Sequence, residues 1–106
     1  MRTRTNSKPW PSDEELVREI LAGSQSHFDM LYSAYFPRVY RFALKRLSDV
    51  GEAEDVAQEV FMTLLSALPS YQGQSTLLVW IFGITRNKVN RRFRCLLYTS
   101  PSPRDA

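Results

Sequence analysis

Residues 49–69 read DVGEAEDVAQEVFMTLLSALP. Asp49 stands where a helix N-cap would stand. Glu52, three positions on, completes a capping box in which each side chain satisfies a backbone N–H left free at a helix start. Ala53, Val56, Ala57, Val60, Phe61, Leu64, Leu65 and Leu68 then recur at steps of three and four, the period of one helix face. Pro69 stops the run, since it has no N–H to donate and crowds the preceding turn. Asp55, Gln58, Glu59 and Met62 fall opposite Val56, Val60 and Leu64. The segment predicts an amphipathic helix with an apolar side to bury and a mixed acidic and amide side turned away. That outer side suits a protein partner and equally suits water.

The same period governs the chain on either side. Upstream, Phe28, Leu31, Tyr32, Tyr35, Val39, Phe42, Ala43 and Leu47 form one apolar stripe over residues 25–47. The stripe keeps its phase across Pro37, which predicts a kinked helix rather than two helices. Before it, Ser12 and Glu15 form a second capping box, Leu16 and Ile20 give a short apolar face, and Gly23 ends the helix. Downstream, residues 69–76 (PSYQGQST) are turn formers and predict a loop. A last helix begins near Leu77 with Leu77, Trp80, Ile81 and Ile84 facing inward. No stretch alternates as a strand does. The expected fold is all-α, a compact bundle of about four helices.

Three regions follow from this reading. Residues 1–11 are polar and basic, end in Pro9-Trp10-Pro11, and predict a disordered arm. Residues 12–94 are the helical domain. Residues 95–106 (CLLYTSPSPRDA) lose the helical period and read as an irregular, appended tail, with native sequence expected to stop at or near Arg94.

Composition bounds the function. The 106 residues suit one domain with a 43% hydrophobic share and a net charge of +3. Cys95 is the only cysteine, so no internal disulfide can form, as fits a reducing compartment. The N-terminus has no apolar segment behind its positive charge, and the apolar run of residues 77–84 falls far short of the ~20 residues that span a bilayer. A cytoplasmic location is expected. Catalysis has no constellation to rest on. His27 is the only histidine and sits at a helix start, where it reads as a capping or surface residue. No metal-ligand cluster or Gly-rich phosphate loop is present, so no cofactor is expected. Glu52, Glu54, Asp55 and Glu59 read as a solvated face with favourable charge at a helix N-terminus.

Binding chemistry is better represented. Gly83, Arg86, Asn87, Asn90, Arg91 and Arg94 form one polar, cationic stripe along the last helix, with Lys88 and Arg92 as flanking charge. Arginine attracts phosphate, while arginine and asparagine hydrogen-bond base edges. A solvated face explains the stripe as well. In the preceding loop, Tyr71 offers an aromatic ring for stacking, and Gln72, Gln74, Ser75 and Thr76 offer hydrogen bonds to a single-stranded base.

These pieces in this order resemble region 2 of the extracytoplasmic-function sigma factors of bacterial RNA polymerase. The matching strings are AEDVAQEVFMTLL (residues 53–65), WIFGITRNKVNRRFR (80–94) and FDMLYSAYFPRVYRFALKRL (28–47). The resemblance implies that the helix bearing Asp55, Gln58, Glu59, Phe61 and Met62 docks on the clamp coiled coil of the largest subunit of core RNA polymerase. It implies that loop residues Tyr71, Gln72, Ser75 and Thr76 hold a flipped base of the promoter −10 element. Arg86, Asn87, Asn90, Arg91 and Arg94 would contact the non-template strand of promoter DNA, and Trp80 would pack the recognition helix. An anti-sigma factor is a further implied partner. Arg91 stands where the family often has an acidic residue, which puts base preference in question and strengthens phosphate attraction. The family's second domain, which reads the −35 element, does not follow in this chain. A free-standing helical DNA-binding module and a helical protein-interaction domain remain the alternatives.

Overall fold

A computed structural model describes residues 12–99; the N-terminal arm with Trp10, and residues 100–106, lie outside the described residues. Helix α1 spans Asp13–Leu21, α2 Gln25–Leu47, α3 Val50–Ala67 and α4 Leu77–Thr99, with a single 3₁₀ turn at Leu68–Ser70. Among the described residues there is no strand, as the pattern predicts.

The helix starts obey the capping signals. Ser12 accepts from the backbone N–H of Glu15 at 3.1 Å, and Asp49 from that of Glu52 at 2.9 Å. At the start of α2, the Ser24 hydroxyl accepts from the His27 N–H at 3.3 Å and lies 2.6 Å from His27 Nδ1. His27 is thus half-buried in a capping contact. Gly23 ends α1 at φ +101°, a conformation that costs glycine nothing, and lets the Ser24 N–H reach back to the Glu19 carbonyl. α2 runs unbroken through Pro37, as the in-phase stripe predicts. Only Ser48 and Asp49 separate α2 from α3, so the two helices form an antiparallel hairpin.

The core lies where these helices meet. Leu31, Tyr35, Val39, Ala43 and Leu47 of α2 pack with Ala53, Val56, Ala57, Val60, Phe61 and Leu64 of α3, and Leu77, Ile81 and Val89 of α4 close it. Leu16 and Val17 bring α1 onto the same core. Thr85, also fully buried, donates to the Ile81 carbonyl at 2.8 Å and leaves no donor unpaired. Phe42 meets Phe82 edge-on at 5.7 Å, and Arg46 meets Asn90 further along, so α2 and α4 run in the same direction.

Two expectations need correction. Leu65 was assigned to the apolar stripe of α3 but stays 45% exposed, at the edge where the stripe turns into the outer face. The last helix does not fray at Cys95. It continues to Thr99, because residues 95–99 hold no proline or glycine and extend a helix already nucleated against the core.

Candidate nucleic-acid and protein interfaces

Hydrogen bonds tie down the loop ahead of α4. Tyr71 donates its hydroxyl to the Ser75 carbonyl at 2.6 Å. Gln74 Oε1 accepts from the Gln72 N–H at 3.2 Å. Thr76 Oγ1 caps α4 by accepting from the Val79 N–H at 3.2 Å. Asp13, 64 residues earlier in the chain, accepts from the Leu77 N–H at 2.9 Å. A carboxylate there also complements the positive end of the α4 dipole. Gly73 adopts φ +78°, and a Cβ on it would meet Glu14 Oε2 at 2.9 Å, so α1 supports the loop from beneath.

Tyr71 departs from the expected open stacking face. It is 9% exposed and packs on Trp80 at a ring distance of 5.2 Å. The ring is apolar enough to join the core, and its hydroxyl finds an acceptor inside the loop. The solvent side of the loop is formed by Gln72, Gln74 and Thr76, with Ser75 half-buried. Two open depressions flank it. One, of about 490 Å³, lies between the start of α1 and residues 71–76. The other, of about 280 Å³, is lined by Ser75, Val79, Trp80, Gly83, Ile84 and Asn87. A side chain at Gly83 would point into open space, which leaves the backbone of α4 open to close approach.

Burial and the charge of Asp13 raise the Tyr71 phenol above its ordinary range, with Glu14 adding to it; burial, then Asp13, also raise Tyr35. The neutral phenols are favoured in the folded chain, so the unfolded chain gives up its protons first as pH rises. Stability from these groups is complete below the ordinary tyrosine pKa of about 10 and falls above it. Thermal unfolding followed across that range should show a melting temperature that declines above about pH 10, and less steeply in Tyr71→Phe. Equal slopes in the two proteins would refute this assignment.

Along α4 the cationic residues divide. Arg86, Asn87, Arg91 and Arg94 are exposed, and Asn90 is half-buried with its Oδ1 accepting from Arg46 Nη2 at 3.1 Å. Among the described residues, Arg86, Arg91 and Arg94 have no carboxylate partner. Arg92 behaves differently from a flanking charge. It turns to α3, where it pairs with Glu52 and lies 3.1 Å from Glu59 and 3.5 Å from Asp55. Its hydrogen bond to Glu52, followed by the charges of Glu52, Glu59 and Asp55, holds the guanidinium above its ordinary value against the opposing effect of burial. Carboxylates at 52, 55 and 59, three and four apart on one face, mark a place for a cation, but only the packing of α3 on α4 selects Arg92 for it.

The Asp55 side chain is 71% exposed and that of Glu59 48%, so the network is worth less than a buried one. Removing Arg92 also leaves three like charges together. Arg92→Met should therefore cost about 1 kcal/mol in thermal unfolding at low salt, and less at high salt. An unchanged melting temperature would show that the clamp contributes nothing.

The outer face of α3 is as expected for Asp55, Gln58, Glu59 and Met62, all exposed, Met62 by 70%. Gln58 donates to the Tyr32 hydroxyl at 3.3 Å. Phe61 belongs elsewhere. It is 3% exposed and packs against the stacked rings of Tyr32 and Phe36 at 5.0 and 5.8 Å, so it supports this face from behind. Among the described residues no cluster of three or more histidine, cysteine or acidic side chains is arranged to hold a metal. No described helix is long and apolar enough to cross a membrane.

The Sigma-70 region 2 family profile matches residues 31–96, which takes in α2 from Leu31, α3, the loop and α4 as far as Leu96. The chain is 32% identical over 75 residues to RNA polymerase sigma-H factor of Pseudomonas aeruginosa, covering 71% of this chain and 39% of that protein. It is 32% identical over 76 residues to ECF RNA polymerase sigma-E factor of Escherichia coli, covering 72% and 39%. It is 30% identical over 67 residues to ECF RNA polymerase sigma factor SigX of Bacillus subtilis, covering 63% and 34%. The chain thus spans less than half the length of these relatives. Fold, profile and relatives agree that this chain belongs to the Sigma-70 region 2 family, as a region 2 domain of extracytoplasmic-function sigma factors.

Proposed function

We propose that this chain docks on core RNA polymerase and holds the unpaired −10 strand of promoter DNA during transcription initiation. The observation that carries the reading is the placement of two unlike surfaces on one small bundle. The outer face of α3 offers Asp55, Gln58, Glu59 and Met62, while α4 offers Arg86, Arg91 and Arg94, which have no carboxylate partner among the described residues.

In this reading the α3 face meets the clamp coiled coil of the largest subunit, with Phe61 fixing its shape from within. An anti-sigma factor would act by covering the same face. The loop of Tyr71, Gln72, Ser75 and Thr76 borders the base-holding depression, with Tyr71 as its wall. Arg86, Arg91 and Arg94 attract phosphates of the non-template strand. Asn87 and Asn90 carry amides suited to base edges, and the bond from Arg46 to Asn90 Oδ1 leaves the Asn90 NH₂ to donate. No bond is made or broken, so the work is binding rather than catalysis. The reading places the chain in the bacterial cytoplasm with the polymerase.

Energetics make the function depend on polymerase. Stacking a base contributes about 1–3 kcal/mol, and unpairing one costs a few kcal/mol. The isolated domain should therefore bind a single strand weakly and melt duplex poorly. Anisotropy of a labelled −10 non-template strand should tighten roughly tenfold or more when core polymerase is added. Equally tight binding without polymerase would favour a free-standing DNA-binding module.

A further inference from the structure

A second cationic row lies on α2, beside α4. Residues 30–48 contain no acidic side chain, and neither do residues 77–99. On α2, Arg38, Arg41, Lys45 and Arg46 are all exposed. Among the described residues none of them has a carboxylate within ion-pair distance, whereas Arg92 has three. Arg38 and Lys45 stand four before and three after Phe42, on the side of α2 that packs against Phe82 of α4. Arg46 reaches across to Asn90 at 3.1 Å and joins the two rows.

We propose that this α2 row, Arg38, Lys45 and Arg46 with Arg41 on its shoulder, binds the phosphates of duplex DNA adjoining the strand held by α4. The inference rests on the reading of α4 as the strand-holding surface. Its geometry favours a duplex. Packed helices lie about 8–10 Å apart, so a single strand following α4 does not also follow α2. Each row runs for roughly 10 Å along its helix, enough for two phosphates of one backbone. Two parallel cationic rows at that separation suit the two backbones that flank a groove.

The test measures anisotropy with two labelled probes, a short single strand and a duplex with a mismatched, premelted centre. Salt is varied from low to ~200 mM. Arg38→Gln/Lys45→Gln should reduce the slope of log affinity against log salt by about 0.9 per lost contact on the premelted duplex. The slope on the single strand should not change, and Arg38→Lys/Lys45→Arg should restore the duplex slope. Equal slope changes on both probes, or none on the duplex, would overturn the proposal. If Arg86→Glu/Arg91→Glu abolishes binding to both probes while Arg38→Gln/Lys45→Gln changes neither, the α4 reading stands and this one falls. If the unaltered chain binds neither probe at low salt, both fall.

Discussion

Phe61→Ala is expected to lower the stability of the chain by roughly 3–5 kcal/mol. The ring packs against the stacked pair of Tyr32 and Phe36 and is almost wholly buried, so truncation leaves a cavity beside aromatic neighbours that rigid helices cannot close. A domain of this size has a total stability of about 5–15 kcal/mol, so the variant should be partly unfolded near physiological temperature. Met62, next in sequence, sets the contrast. Met62→Ala should change stability by no more than about 0.5 kcal/mol, since its side chain is mostly in water. It should instead weaken partner binding. Urea unfolding of both variants checks the pair. A Phe61→Ala protein as stable as the parent would contradict the placement of that ring.

Arg86→Glu/Arg91→Glu carries the second large effect. Both side chains are exposed and unpaired among the described residues, so reversal should leave the fold intact. Each lost contact should reduce the salt slope on a single strand by about 0.7, and the introduced charges repel phosphate as well. At low salt the affinity for a −10 strand should fall on the order of 100-fold. A strand affinity that survives reversal would mean that α4 is a solvated face.

Helix positions were legible because their signals are local. Ser12–Glu15 and Asp49–Glu52 announce helix starts within four residues, and the apolar stripes need only the helical period. The kind of surface on α4 was legible too, from composition along one face. What escaped was contact between distant residues. Nothing near Asp13 indicates that it caps a helix beginning 64 positions later. Nothing near Asn90 indicates Arg46. Arg92 reads as another cation in a basic run, and only the packing of α3 on α4 turns it to Glu52 and Glu59. Tyr71 was misplaced for a related reason. A polar loop suggests exposed side chains, but this ring has Trp80 one helical turn into α4 to pack against.

The Arg92 clamp ties the two surfaces together. Asp55 and Glu59 face the proposed polymerase side and also hold the helix proposed to bear the strand. Altering them therefore affects two functions, and a partner assay is informative only with the fold checked alongside. Asp55 is the most exposed and most distant of the three carboxylates around Arg92, which makes it the best site to change.

The most direct test of the central claim is capture of the chain by purified core RNA polymerase, beside an Asp55→Ala/Gln58→Ala variant of matched melting temperature. The account predicts that the parent chain is retained and that the variant is lost or strongly reduced. Equal retention would contradict the assignment of the α3 face, and no retention of the folded parent would contradict the polymerase-docking function itself.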